Sequence, residues 1–245
     1  MEVEYSNMYT AVSFFAILGL AWCLRRPFRF HILQRISARK INGDTSFLNK
    51  LLWKEKVEMF QFLYEYKENS NTNLTVLDVG SGPAANLAFL PKNTKLVCLD
   101  PNPHLKGYID ENLKKCDNDI DTDIVQGYAE NMPFENELFD ATICTVALCV
   151  VQNIEKSLDE IKRVLKPGGK LFFLEHVTVE DKRLYTYLLW CAMIPLARLL
   201  YGCHVTRDTV KSIKNAGFSD LRLQYVYPKT DIILLRKCII GVATK

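Results

Sequence analysis

Short runs rich in apolar and β-branched residues recur along the chain at "LTVLDV" (74–79), "KLVCLD" (95–100), "DIVQG" (123–127), "FDATICTV" (139–146) and "KLFFLEHV" (170–177), with helical stretches at 103–116 and 154–165. Strands that alternate with helices imply a parallel sheet with helices on both faces. Two last runs, "LRLQYVY" (221–227) and "CIIGVAT" (238–244), are predicted to pair as a closing antiparallel hairpin. Ahead of the first strand, Trp53, Val57, Phe60 and Tyr64 recur at spacings of three and four, which predicts an amphipathic helix within 46–66. Its opposite side would carry Lys54, Glu55, Glu58 and Glu65. The expected class is α/β, with a doubly wound and mostly parallel sheet.

The N-terminal segment has a different character. Residues 8–24, "MYTAVSFFAILGLAWCL", carry no charge, and as a helix would be about 26 Å long against a hydrocarbon core of about 30 Å. Glu2 and Glu4 precede this run and Arg25 and Arg26 follow it, the reverse of a cleaved secretory signal. The expectation is an uncleaved membrane anchor, spanning or lying shallowly, with the body on the cytosolic side. Six basic residues and no acid lie between Arg25 and Gly43 (Arg25, Arg26, Arg29, Arg35, Arg39, Lys40), a collar suited to an anionic membrane face. The chain's net charge is +3, so outside the collar it is slightly acidic and unlike a nucleic-acid binder. Anchor and collar are assigned to 1–44 and one catalytic-sized domain to 45–245. The eight cysteines include no C-x-x-C pair, so neither a disulfide framework nor a metal site is expected.

"DVGSGPAANLAF" (78–89) has the outline of a nucleotide-binding turn leaving the first strand. Gly80 and Gly82 lack the Cβ that would keep a ligand from the main chain. Pro83 suits a first helical position, and Ala84 would follow with helical dihedrals. "GSGPAA" also satisfies G-x-G-x-x-[GA], with Asp100 twenty residues beyond Gly80, so the turn alone leaves a dinucleotide open.

"LDVGSGPAAN", "CLDPNP", "YAENMPF", "FDATICTVALC" and "EIKRVLKPGGKLFFLEHV", in that order, resemble the successive motifs of a class I S-adenosylmethionine-dependent methyltransferase. With the apolar N-terminal run and the late "GCHVTRD", the chain is most similar to the membrane-bound alkyl thiol S-methyltransferases of the methyltransferase-like family. The resemblance covers residues 45–245 and implies a Rossmann-like domain that binds S-adenosylmethionine. It implies that Asp78, Gly80 and Gly82 hold the methionine end, Asp100 the ribose hydroxyls, and Pro101 and Asn102 the neighbourhood of the adenine. Ala129 and Glu130 would border the adenine edge, although Tyr128 stands where many relatives carry an acid. Thr145 would lie near the sulfonium. The resemblance also implies a location on the cytosolic face of the endoplasmic reticulum membrane or on lipid droplets.

The sulfonium methyl is already activated, so transfer needs mainly positioning and exclusion of water. A thiol acceptor has a pKa near about 8.5, and His176, at the end of the fifth strand, is the candidate base for its proton. Cys203 and His204 would line the pocket, with Cys203 not acting as a nucleophile. The apolar run 184–201 is expected to cover the acceptor site or to be a buried core helix. The expected activity is methylation of an apolar small-molecule thiol. A lipid or quinone O- or C-methyltransferase and a non-catalytic membrane-surface scaffold are the alternatives left open.

Overall fold

The computed structural model describes residues 33–70, 72–116, 120–178, 191, 194–195, 197–198 and 202–245. The expected anchor at 8–24, part of the basic collar and most of the expected cover at 184–201 lie outside the described residues. Among the described residues no helix is long and apolar enough to cross a membrane.

The elements in chain order are α1 (helical over 33–51), α2 (Trp53–Ser70), β1 (Thr75–Val79), β2 (Thr94–Asp100), α3 (Lys106–Lys114), β3 (Ile120–Gln126), β4 (Phe139–Thr145), α4 (Ile154–Val164), β5 (Leu165–His176), α5 (Thr209–Asn215), β6 (Asp220–Val226) and β7 (Cys238–Thr244). All seven expected strands form. They make one sheet in the order β3-β2-β1-β4-β5-β7-β6. β1 to β5 pair in parallel, whereas β7 is antiparallel to both β5 and β6. The predicted hairpin is therefore present, and its second strand inserts between its first and the parallel sheet.

Successive side chains on a strand point to opposite faces, and two apolar layers follow from this. Val76, Ala141, Ile143, Phe172 and Leu174 pack with Met59, Phe60 and Leu63 of α2 on one face. Leu77, Val79, Leu171 and Phe173 pack with Leu158 and Ile161 of α4 on the other. In α4, Ile154, Leu158, Ile161 and Val164 are buried, and the Asn153 side chain caps the helix by accepting from Lys156 N–H.

The N-terminal helices depart from expectation. Two helices meet at Leu52, and α1 runs without a break through the boundary expected at 44/45. In α2 the buried positions are Glu55, Lys56, Met59, Phe60 and Leu63, while Trp53, Val57 and Tyr64 are exposed. The helix was expected, but its inward face is rotated by about one residue from the one read from periodicity. A burial preference for Met59 and Leu63 fits this face as well as the aromatic stripe fits the other, and Lys56 decides between them through buried partners that spacing does not show.

Two glycines predict opposite outcomes. A Cβ on Gly241 would lie 2.4 Å from Arg222 O and 2.5 Å from Phe173 Cζ, so Gly241→Ala should lose about 3 kcal/mol, the upper range for overpacking. Gly43 is exposed on α1 with nothing within 4 Å of an added Cβ, and Gly43→Ala should gain about 0.5–1 kcal/mol. Denaturant unfolding of both variants checks the pair; equal effects would contradict it.

Candidate active site

The penultimate residue of β1 carries a carboxylate that is wholly buried, Asp78. Its two oxygens accept from Asn86 Nδ2 at 3.1 and 3.0 Å. Asn86 Oδ1 in turn accepts from Lys56 Nζ at 2.8 Å, and Asn49 Oδ1 on α1 accepts from the same ammonium at 2.5 Å. Thr145 joins the group, its Oγ1 accepting from Asn86 Nδ2 at 3.0 Å. Burial pushes the Asp78 carboxyl up to about 7, against the lowering by Asn86 and the Lys56 charge. Burial also brings Lys56 down to about 8 while Asp78 pulls the other way.

Beyond Asp78 the chain turns differently from the sequence expectation. No α-helix follows; there is a turn and one 3-10 segment, Leu87–Phe89. Gly80, Gly82 and Ala84 have φ of 66°, 54° and 56°, and alternating left-handed residues cannot propagate a right-handed helix. Ala84 thus occupies the left-handed region that favours glycine, not the helical dihedrals expected of it. α1 lies across this turn: Ile41 Cγ2 is 3.6 Å from where a Gly82 Cβ would be, and Asn49 Nδ2 donates to Ala85 O at 2.9 Å. The turn's N–H groups have internal acceptors, with Gly80 and Ser81 both donating to Leu99 O.

Asp100 ends β2 beside this turn. Its Oδ2 accepts Gly82 N–H at 3.1 Å and its Oδ1 accepts Asn102 N–H at 2.9 Å. Burial raises its pKa, opposed by those two bonds. Asn102 is committed on both sides: its Oδ1 accepts His104 N–H and its Nδ2 donates to Gln34 O of α1. Pro101 O accepts from Gln126 Nε2 at 3.2 Å. A cleft here is lined by Ser81, Asp100, Asn102, Ile109 and Gln126.

The structure therefore brings together Asp78, Gly80, Gly82, Asp100, Pro101, Asn102 and Thr145. Ala129 is buried after β3. Glu130 holds the protein's own backbone: its Oε1 accepts Gln152 and Asn153 N–H at 2.6 and 3.2 Å, which fixes the start of α4. Asn49, Lys56 and Asn86 were missed by sequence reasoning. Asn86 lies within the quoted motif, so its place eight residues after Asp78 was the available signal; Asn49 and Lys56 gave none.

His176 lies at the C-terminal end of β5, where Nε2 is 3.0 Å from Cys203 Sγ and Nδ1 is buried without a hydrogen-bond partner. Burial lowers its pKa, but the Cys203 contact and charge together with Glu175 carry it upward overall. A base role would fall to Nδ1, since Nε2 is engaged. Cys149, just beyond β4, is the third member of a buried Cys149–His176–Cys203 cluster. A hydrogen bond with Cys149 and the neighbouring imidazole hold the Cys203 thiol below the usual thiol range, against its burial. Val146 stands at φ 53° between β4 and Cys149, a strained position for a β-branched residue. Glu175 Oε1 receives Ala147 and Leu148 N–H, both at 2.8 Å, and so fixes the loop that carries Cys149. The described cysteines are free thiols.

Residues 77–173 match a family described as "Methyltransferase domain". The chain is 34% identical over 231 residues to the human thiol S-methyltransferase TMT1A, covering 93% of this chain and 90% of that protein. It is likewise 34% identical to the rat thiol S-methyltransferase TMT1B, over 80% of each chain. Among solved structures, the complex between the Haloferax volcanii Trm112 methyltransferase activator and a methyltransferase aligns with a TM-score of 0.60 at 17% identity, over 86% of this chain and 96% of that one. The [4+2]-cyclase SpnF aligns with a TM-score of 0.54 at 18% identity, over 76% and 80%.

The residues present suit S-adenosylmethionine. Asp78 would offer a buried carboxylate to its ammonium, and Asp100, whose oxygens can accept beyond their backbone donors, lines a cleft.

A pH effect follows from Asp78. With a folded pKa of about 7 and an unfolded value near about 4, the folded chain keeps a proton that the unfolded chain has released. This group therefore favours the fold most below about pH 4 and less as pH rises to about 7. Asp78→Asn removes that dependence, so the cofactor-free variant should gain stability relative to the parent between about pH 5 and 7. Melting temperatures of the two across that range check it; a constant difference would contradict it.

Proposed function

We propose that this chain, which belongs to the thiol S-methyltransferase family of S-adenosylmethionine-dependent methyltransferases, methylates the sulfur of an apolar small-molecule thiol at a membrane surface. The observation that carries the reading is the pair of carboxylates at the C-terminal ends of adjacent parallel strands, Asp78 wholly buried and Asp100 half-buried beside a cleft, joined through the Gly80–Gly82 turn. When bound, S-adenosylmethionine supplies a methyl group activated by a sulfonium, so the protein's work is to hold, orient and dry the reacting groups.

Asp78 attracts the ammonium, and Gly80 and Gly82 let the main chain approach the methionine end. Asp100 accepts from the ribose hydroxyls. Thr145, tied through Asn86 to Asp78, borders the methionine end on the β4 side. The acceptor end is the C-terminal edge of β4 and β5, with Cys149, His176 and Cys203. Water is kept out by α1, which covers the turn, and by the apolar cluster of Cys149, Ala197, Cys203, Val205 and Ile233.

A membrane-facing arrangement is supported by α1 and α2. Leu33, Ile36 and Phe47 are exposed and fall within about 60° of one another around the helix. Trp53 and Val57 of α2 are exposed as well. Arg35 and Arg39 lie exposed on α1, where anionic headgroups would meet them. With the uncharged run at 8–24, this favours attachment at the endoplasmic reticulum membrane or a lipid droplet, the domain facing the cytosol.

The test uses detergent-solubilised full chain, methyl-labelled S-adenosylmethionine and matched apolar thiol, phenol and amine acceptors. Label is expected on the thiol alone; label on the phenol, or on a quinone offered separately, would replace the reading with oxygen or carbon methylation. Asp100→Ala should weaken cofactor binding about 100-fold, from the loss of two hydrogen bonds to a charged acceptor. Cofactor affinity should fall by up to about tenfold per unit as pH drops below about 7, where Asp78 takes up a proton. Calorimetric titration reads both, and full affinity in Asp100→Ala would remove the site assignment.

A further inference from the structure

Three chain segments that are far apart in sequence deliver Cys149, His176 and Cys203 to one buried point. Their ligand atoms all lie within 4.8 Å of one another, and His176 Nε2 and Cys203 Sγ are 3.0 Å apart. Tetrahedral zinc, with Zn–S near about 2.3 Å and Zn–N near about 2.0 Å, separates its ligand atoms by about 3.5–3.8 Å. The observed spacings bracket that range, so small side-chain rotations would seat an ion.

Hydrogen bonds already tie the three segments together, although His176 Nδ1 itself has no partner. His204 N–H donates to Cys149 O at 2.8 Å, joining the first and third segments. Arg207 Nη1 donates to Leu148 O and Val151 O, both at 2.8 Å, and clamps the Cys149 loop from the same side. Thr178 Oγ1 donates to Val205 O at 3.2 Å and ties the strand end that carries His176 to the Cys203 segment. Ligands held by such hydrogen bonds lose little freedom when they coordinate. Two soft sulfurs and an imidazole select a zinc-type ion over calcium or magnesium. Sets of three protein ligands are typical of zinc sites that keep a fourth position open for a reactant.

We propose that Cys149, His176 and Cys203 bind one zinc ion whose open fourth position takes the sulfur of the acceptor thiol. The second half of this assignment rests on the thiol reading above; metal binding does not. On coordination the acceptor S–H bond breaks, its proton passes to water and a zinc–sulfur bond forms. A sulfur lone pair then forms the new S–CH3 bond as the donor's S–CH3 bond breaks, and the neutral thioether leaves the ion. In this arrangement His176 is a ligand, and no imidazole base is required.

The experiment uses the full chain in detergent, freed of loose metal. Elemental analysis should find about one zinc per chain, falling to less than about a tenth in Cys149→Ser and Cys203→Ser. S-adenosylmethionine titration of the same variants should give unchanged affinity, which shows that they are folded. Cobalt exchanged for zinc should show thiolate charge-transfer bands and tetrahedral ligand-field absorption, and hexanethiol should shift both saturably. A fully active chain that carries no metal and binds no cobalt would overturn the proposal. Metal bound with a spectrum indifferent to hexanethiol would overturn the acceptor role. A spectrum shifted by hexanethiol in a chain that methylates no thiol would uphold the metal site and refute the thiol reading instead.

Discussion

A carboxylate buried at the end of a central strand is the constraint around which this domain is organised. Asp78 has no solvent to stabilise its charge, and an uncompensated buried charge is costly. Its partners arrive from three directions: Asn86 from the turn, Lys56 from α2 through Asn86, and Thr145 from β4 by the same amide. Asn49 of α1 holds the far side of Lys56. Each member satisfies another, so loss of one leaves the rest buried and unpaired. The N-terminal helices are thus part of the network around Asp78.

The sheet order brings two clusters of polar side chains to one crevice. Strand order reverses between β1 and β4, and ligands of open α/β sheets bind in the crevice beyond the strand ends at such a reversal. On one side β1 and β2 carry Asp78 and Asp100 at their C-terminal ends; on the other, β4 and β5 lead to Cys149 and His176. The two halves touch through Gly80, where an added Cβ would come within 2.9 Å of Ala147 Cβ. The strained Val146 lets the chain leave β4 at that point. Strain of this kind persists where surrounding contacts over-determine it, here the grip of Glu175 on the next two N–H groups.

The architecture alone does not decide the chemistry. A [4+2]-cyclase shares the fold at a TM-score of 0.54, so one backbone arrangement serves unrelated reactions. The methyltransferase assignment rests on relatives at 34% identity that match most of this chain's length, and the two sides of the crevice differ in character. Around Asp78 the groups are oxygens, amides and the Lys56 ammonium; around His176 they are two thiols beside the Glu175 carboxylate.

What the sequence determined by itself was everything that depends on local pattern. Strand runs such as 95–100 and 139–145 are apolar enough to be buried on both faces, and the glycines and acids of 78–82 sit at fixed short spacing, so the strands, the closing hairpin and the turn after β1 were legible. What only the tertiary structure decided was whatever depends on distant segments meeting. Periodicity placed α2 but chose the wrong face, because Lys56 is held inward by Asn49 and Asn86 from other elements. The helix expected after Pro83 gave way to a turn under α1, whose contacts come from about forty residues upstream. The C-x-x-C rule missed the thiol–imidazole cluster, because its residues stand 27 positions apart in the chain and are joined by strand ends and a crossing segment. Local pattern fixes what each segment becomes; long-range packing decides which buried polar groups must satisfy one another, and that is where this site was made.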